Sequence, residues 1–570
     1  MSNQRHIGDQ HVKNVVRACN QQLRNQPIDS ASEITLETVK YIFSRFPNVS
    51  RIKSKFDFEN SDEHPDLIIE EENRRRHEVN LFLVKGTSAI QPKNLGAKSF
   101  FTKYFLSHEL QKRFNQHIEQ EYELFLKRAM DIHGEEIDVK IVKKDVKEKY
   151  PRFSEEIEPF RKSFLFELRE YGFYLLREEY SSEVEKTKHA FDQLLMRSTE
   201  NIVTRHVGGN KCLCVQSFES KADLDEELHI YKKGQNSIGI RAGEEALLLR
   251  FKFESGPTSS IKLATSFETF SYEEDVLQEN QRMMKRFEKI IAQHTHVEKK
   301  NKSNAIGKVN EAAVYYEFVK QQPSIYQVDS NEGVSTLEDF VSYVSKSELD
   351  QILTAAKGTV QSIVNHLQRK FSGYQLDSVQ LAAGSYLKNR LDTSDMKVVI
   401  VKGTDYEEEN LSLKALAKKS ARVTSKNPGA GQILGQQYFD VGDLKGLIED
   451  VKQQFEQGHY THQACLEKVS EEIGSTLENA TQEKLRTGLQ ALLGQSTVVI
   501  TFYKVSKSMV LEHEHIGSHI RVFKHTPSTI QTTLQWNDGH EELSLRVKFS
   551  ASQKRGWSSL KLACDYMILR

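Results

Sequence analysis

Two acidic residues in this chain open apolar runs, and each is followed by a second apolar run with a basic residue near its end. Asp395 stands in Ser394-Asp395-Met396-Lys397-Val398-Val399-Ile400-Val401, and Lys414 closes Asn410-Leu411-Ser412-Leu413-Lys414 after a Gly-Thr-Asp turn. Asp66 stands in His64-Pro65-Asp66-Leu67-Ile68-Ile69, ahead of Glu78-Val79-Asn80-Leu81-Phe82-Leu83-Val84-Lys85. Such a set suits the hydrolysis of a phosphodiester. Carboxylates grip a hard divalent cation through oxygen, and the cation polarises the phosphate and activates water. A lysine beside them stabilises developing negative charge or orients the water. On a strand, Ser412 and Lys414 share one face, and Leu411 and Leu413 share the other.

These runs resemble the PD-(D/E)XK nuclease superfamily, which includes most type II restriction endonucleases. There an Asp opens one strand and an acid-x-Lys pair lies on the next. The resemblance implies Asp395 and Lys414 as catalytic residues, Mg²⁺ (or Mn²⁺) as cofactor and double-stranded DNA as partner. Ser412 stands where the family has Asp or Glu. Some members recover that acid from an N-terminal helix, and Glu311, in Gly307-Lys308-Val309-Asn310-Glu311, is the candidate for that role. Asp395 and Glu311 would hold the metal. In the other set Asp66 and Glu78 are the candidates for both catalysis and metal binding. If Glu78 and Asn80 fill the acid-x-Lys positions, asparagine replaces the lysine; if Lys85 is the lysine, Leu83 replaces the acid. Val12 stands where the second set has Glu311. This first set is either a live variant site or a decayed copy kept for DNA binding and for shape.

The chain also echoes itself, in the same order in both halves. Leu249-Arg250-Phe251-Lys252-Phe253 and Ser259-Ser260-Ile261-Lys262-Leu263-Ala264 return as Leu545-Arg546-Val547-Lys548-Phe549 and Ser558-Ser559-Leu560-Lys561-Leu562-Ala563. Lys93-Asn94-Leu95-Gly96-Ala97 with Tyr104-Phe105 returns as Lys426-Asn427-Pro428-Gly429-Ala430 with Tyr438-Phe439. Ile7-Gly8-Asp9 corresponds to Ile306-Gly307-Lys308. This reads as one duplicated domain, not a solenoid, because the period is far too long for stacked short repeats. The Lys93 and Lys426 segments suit a Gly-permitted turn before a helix, where backbone N–H groups meet a phosphate. Lys93, Asn94 and Lys98, and Lys418, Lys419, Lys426 and Asn427, are therefore candidate nucleic-acid contacts. Lys402, Lys414 and Arg422 extend the second group into a local cationic cluster. The alternating cations of Arg250–Lys262 and Arg546–Lys561 are further candidates for backbone contact.

The elements that must position these residues are mixed. Helical periodicity at Val12, Val15, Val16 and Cys19, then at Leu36, Val39, Tyr41 and Ile42, opens the first half. Strands follow at Leu67–Ile69 and Val79–Val84. The expected fold class is α/β (α+β): two tandem restriction-endonuclease-like modules, each a mixed central sheet flanked by helices, with a strand-rich C-terminal segment. The first module spans 1–295, with a helical insert at about 107–196, broken near Tyr150-Pro151, and a strand-rich end at 212–270. The second spans 305–570, with a helix from Lys308, strands at Lys397–Val401 and Leu411–Leu413, a helix at Leu444–Gln457 and a strand-rich end at 498–570. The junction falls in the polar stretch His294–Asn304.

Composition sets the outer limits. With 570 residues, 38% hydrophobic, the chain can fill large cores, which excludes a disordered chain. A net charge of −1 excludes a uniformly polybasic binder while leaving room for local patches. Five cysteines, with only Cys212 and Cys214 close together, suggest reduced thiols in a soluble, cytoplasmic protein. No apolar run approaches membrane-spanning length. The expectation is a metal-dependent DNA endonuclease of restriction or phage-defence type. It would be a pseudo-dimeric monomer or a higher homo-oligomer, with a possible additional defence-system subunit. Two other readings remain open. One is a non-catalytic nucleic-acid-binding protein with decayed sites. The other is a polymerase-β-like nucleotidyltransferase built on Gly384, Ser385 and Asp395, in which Lys397 replaces the second metal-binding Asp.

Overall fold

The computed structural model describes residues 3–28, 31–59, 64–92, 94–132, 137–208, 211–269, 272–298, 302–382, 394–417, 422–494, 496–511, 516–517, 519–551 and 556–568. The chain divides into two units, Met1–Asp275 with Gly403–Tyr406 and Val276–Lys402 with Glu407–Arg570.

The first unit opens with α1 (Asn3–Leu23) and α2 (Glu33–Arg45). Ser32 starts α2 by accepting a hydrogen bond from the Thr35 N–H. Three strands and a short fourth follow: β1 (Val49–Ser54), β2 (Leu67–Glu71), β3 (Arg76–Lys85) and β4 (Asn94–Gly96). The helical insert comprises α3 (Phe100–Tyr104), α4 (His108–Ala129), α5 (Val139–Lys149), α6 (Glu158–Ser182) and α7 (Val184–Leu194). Pro151 explains the break after α5, since the residue before a proline is driven out of the helical region. The closing strands are β5 (Glu200–Val207), β6 (Lys211–Phe218), β7 (His229–Lys233), β8 (Ser237–Ala242), β9 (Glu245–Phe253) and β10 (Ile261–Thr269).

These strands form two sheets, in the orders β1-β2-β3-β5-β6 and β4-β10-β9-β8-β7. Val12, Val15, Val39 and Ile42 pack against Leu67, Ile69, Val79 and Leu81, so α1 and α2 cover one face of the first sheet. A larger, aromatic-rich core joins the insert to the second sheet through Phe114, Phe125, Phe164, Phe251 and Phe253.

Next comes α8 (Tyr272–Ala292), expected to close the first module. It packs instead on the second unit: the Phe287 ring stacks on Tyr316 at 4.3 Å, and the Asn280 amide donates to the Pro323 and Ile325 carbonyls. The boundary therefore precedes the polar stretch His294–Asn304, because a helix belongs to whichever core buries its apolar face.

The second unit continues with α9 (Ser303–Gln321), β11 (Tyr326–Gln327), α10 (Ser330–Phe340), α11 (Lys346–Lys370), β12 (Gln375–Leu381), β13 (Met396–Lys402), β14 (Asp405–Leu416) and β15 (Val423–Lys426). Then follow α12 (Lys445–Glu456), α13 (His462–Glu478), α14 (Gln482–Leu493), β16 (Thr497–Phe502), β17 (Lys507–Leu511), β18 (Arg521–Phe523), β19 (Gln531–Trp536), β20 (Glu541–Phe549) and β21 (Leu560–Ile568). Its sheets run β11-β12-β13-β14-β16-β17 and β15-β21-β20-β19-β18. Apart from the added β11, both orders repeat those of the first unit. In each unit one parallel pair, β3 with β5 and β14 with β16, lies among antiparallel pairs, and the added β11 of the second unit also runs parallel to β12. The fold is α+β throughout. No helix among the described residues is long and apolar enough to cross a membrane.

Candidate active site

Asp395 sits where β13 begins, and main-chain bonds fix it from both sides. Its N–H donates to the Leu411 carbonyl at 2.7 Å, and its carbonyl accepts from the Ala382 N–H at 2.9 Å. The carboxylate then reaches β14, where Oδ2 accepts from the Leu413 N–H at 2.8 Å and from the Ser412 hydroxyl at 3.3 Å. The Lys414 ammonium lies 3.3 Å from the same oxygen. Strand alternation accounts for this grouping, because Leu411 and Leu413 point into the core and leave Ser412 and Lys414 on the side of Asp395.

Glu311 arrives from α9. Its side chain is only 8% exposed and pairs with Lys308, one turn earlier, at 2.6 Å. Burial raises its carboxyl to about 7; the neighbouring charge of Asp395 adds to the rise, and Lys308 and Lys414 oppose it. Burial alone would lower the Lys308 ammonium, but Glu311 and Asp395 outweigh it and the net direction is up. Glu311, Asp395, Lys308 and Lys414 thus form one electrostatically linked group. Beside Glu311 in sequence, Asn310 is fully buried, and neither amide atom has a hydrogen-bond partner among the described residues.

The donor set fits a divalent metal of the hard class. The two carboxylates, of Asp395 and Glu311, and the Ser412 hydroxyl are all oxygen ligands. No group of three or more His, Cys, Asp or Glu gathers among the described residues. Oxygen donors are the type a hard divalent cation takes alongside waters. The structure brings Asp395, Lys414 and Glu311 together, as the sequence reading grouped them, and adds Lys308, which that reading did not single out. The spacing of Lys308 and Glu311, one helical turn apart, was the available signal.

The first unit repeats the scaffold with different residues mounted on it. Asp66 Oδ2 accepts from the Leu81 N–H at 2.9 Å, as Asp395 does from Leu413. The parallel partners agree: Thr204 faces Leu83 and Thr501 faces Ala415, and each threonine hydrogen-bonds a helix threonine, Thr38 or Thr359. In this register Asn80 matches Ser412, Phe82 matches Lys414 and Glu78 matches Asn410. The sequence reading, which put Asn80 or Lys85 at the lysine position, is corrected here to Phe82, because pairing between strands and not distance along the chain sets which residues face each other.

Glu78 is about half exposed and pairs with Arg76 at 3.3 Å, so it does not join Asp66. Lys85 ends β3 exposed, and it does not join Asp66 either. Asn80 turns inward and donates to Thr199 and Asn201. What meets Asp66 is Lys55, whose ammonium lies 3.0 Å from Asp66 and 2.9 Å from Asp9. His11 is buried nearby with Nε2 unpartnered among the described residues, and burial pulls its imidazole down to about 4, so it is neutral.

The expected nucleic-acid contacts are placed unevenly. Asn94 belongs to a short edge strand of the second sheet, pairing with Ala264, where a turn into a helix was expected. Lys98 pairs with Glu119 at 2.9 Å. Lys426 donates to the Ala491 carbonyl at 2.7 Å, and the Asn427 side-chain oxygen accepts from Lys548 at 2.7 Å. Lys93, Lys418 and Lys419, like Gly384 and Ser385, lie outside the described residues. A polar groove of about 460 Å³ along α4, lined by Lys98, His108, Lys112 and Glu119, holds neither acid–lysine group. A cavity of about 10 Å³ beside Ser412 and Lys414 has room for no more than a water molecule.

Comparison with known proteins shows that the chain belongs to the type II restriction enzymes. The relative that places it there is 39% identical over 567 residues, covering 99% of this chain and 98% of its own length. That relative is the type II restriction enzyme BsuRI of Bacillus subtilis. No family model and no solved structure matches the chain.

Proposed function

We propose that this protein is a metal-dependent DNA endonuclease of restriction type, and that its hydrolytic centre lies in the second unit. The observation that carries this reading is the meeting of Glu311, Asp395 and Lys414 on a helix and two strands of one sheet. Asp395 and Glu311 would hold Mg²⁺ (or Mn²⁺), which when bound supplies Lewis-acid activation of phosphate and water. Lys414 places a positive charge beside the scissile phosphate as negative charge develops there. Lys308 keeps Glu311 oriented and favours its ionised form. Two independent features support a PD-(D/E)XK ancestry and an internal duplication: the shared strand orders of the two units, and the matching hydrogen bonds of Asp66 with Leu81 and Asp395 with Leu413. The first unit, with Val12, Asn80 and Phe82 where the second has Glu311, Ser412 and Lys414, serves DNA binding and shape and does not cut.

The test is cleavage of supercoiled plasmid in Mg²⁺. Asp395→Ala and Lys414→Ala should each lower the rate by at least about 10²-fold, and nicked as well as linear product should disappear. Asp66→Ala, checked for folding, should leave hydrolysis within a few-fold of wild type. If Asp395→Ala turned the enzyme into an efficient nickase, the first unit would be a second cutting centre. If the wild type left DNA intact with both Mg²⁺ and Mn²⁺, the endonuclease reading itself would fall.

A further inference from the structure

The second sheet of each unit pairs like charges directly across neighbouring strands. Lys252 on β9 faces Lys262 on β10, and Lys548 on β20 faces Lys561 on β21. On the third strand or bridge the facing residue is glycine in both cases, Gly96 opposite Lys262 and Gly429 opposite Lys561. Arg250 and Arg546 stand two residues before Lys252 and Lys548, on the same face. The residues between them point inward and are buried: Phe251, Leu263, Val547 and Leu562. The cations therefore form an outward-facing group on both units.

Like charges directly opposite one another weaken a ladder. Burial, then the charge of Arg250, lowers the Lys252 ammonium, as expected of a crowded cation. Glu254 offsets part of this charge at Lys252 and lies 4.0 Å from Lys262, but it is 54% exposed, so solvent screens its pull. Lys548 finds an amide oxygen, Asn427 Oδ1, and not a carboxylate. Fold stability therefore does not account for these residues. The two units differ at every position around Asp66 and Asp395 that would carry hydrolysis, yet here they keep arginine, lysine and lysine in the same register. What they share is independent of cutting and calls for an anion. The two glycines carry no side chain of their own beside these lysines; the nearest side-chain atoms are polar, Ser99 Oγ at 3.1 Å and Gln432 Oε1 at 3.5 Å from where a Cβ would stand.

We propose that each of these outward faces, Arg250, Lys252 and Lys262 in the first unit and Arg546, Lys548 and Lys561 in the second, is a binding site for the phosphate backbone of DNA. It rests on the endonuclease reading for the choice of polyanion. Side chains two residues apart on a strand stand about 7 Å apart, so that neighbouring cations can take separate phosphates of one strand.

The experiment is duplex binding by the full chain in EDTA, followed by fluorescence anisotropy from low to moderate salt. The Lys262→Ala/Lys561→Ala double variant should bind at least about tenfold more weakly at 0.1 M salt, and its log–log salt slope should fall by about 2, near 0.9 per lost phosphate contact. The loss should be equal for duplexes with and without a cleavable site, and Lys262→Arg/Lys561→Arg should restore it. The thermal midpoint should not drop, because the substitutions relieve repulsion. An unchanged slope, a loss confined to one base sequence, or a lowered midpoint would each overturn the proposal. If the wild type bound no duplex, the endonuclease reading would fall with it. Wild-type binding with an unaltered variant slope would sink this inference alone.

Discussion

Glu311 carries a charge the protein does not easily accommodate, and the pH dependence of the molecule should show it. The folded state holds this proton more tightly than the unfolded chain does, so the associated stability is complete below the ordinary value of 4.5 and is lost as pH rises through about 7. The stability difference between wild type and Glu311→Gln should shrink across that window, by at most about 3 kcal/mol, with coupling to Asp395 reducing the figure. Thermal midpoints of both proteins at pH 5 and pH 8 measure it; equal differences at both would show an unshifted carboxyl. Divalent-cation affinity should move the opposite way and rise with pH, since the ligand must lose its proton. Asp395 and Lys414 could be singled out in the sequence because an acid or a lysine at the edge of an apolar run is conspicuous, whereas Glu311 entered only through the family resemblance. Glu78 and Lys85 were misread because their role depended on register, which is set by a hydrogen bond from the Leu81 N–H to Asp66 that no single segment reveals. Lys55 escaped notice because nothing in its own neighbourhood announces an acidic partner.

At the scale of elements, the strands with unbroken apolar runs, β2, β3, β13 and β14, could be read directly, as could the proline-interrupted helical insert. β1 and β12 could not: Val49-Ser50-Arg51-Ile52-Lys53-Ser54 and Gln375-Leu376-Asp377-Ser378-Val379-Gln380-Leu381 are half polar and owe their strand conformation to the neighbours they pair with. The close packing of helices allows a paired test. A Cβ on Gly488 in α14 would lie 2.1 Å from the Phe439 ring, whereas one on Gly358 in α11 would meet nothing within 4 Å. Alanine gains up to about 1 kcal/mol in either helix. At Gly488 overpacking of about 1–3 kcal/mol wins, so Gly488→Ala should lower the denaturation midpoint and Gly358→Ala should raise it. Two shifts of the same sign in a urea titration would refute the packing account.

For the whole molecule, the two units hold the same pair of sheets and differ in what is mounted on them. The echo between the halves is plain in the sequence at the end of each unit, where Arg, Lys and apolar residues alternate in the same order. It was obscured in the middle, where Phe82 stands for Lys414 and Val12 for Glu311. The location of α8 was not visible at all, since a helix in sequence carries no label for the core it will join. With one hydrolytic centre proposed per chain, two strand cuts require two events or two chains, and plasmid time courses should pass through nicked circles. The bridge from Lys55 to Asp9 and Asp66 has one more consequence. It is a counter-ion encoded in the gene, present at fixed stoichiometry and beyond the reach of any chelator. Linkage to free divalent cation should therefore reach only one half of the chain. Hydrogen exchange with and without millimolar Mn²⁺ should show added protection in α9 and β13–β14, and none in α1, β2 and β3. Slowed exchange in both sets would mean that the first unit still takes a metal from solution.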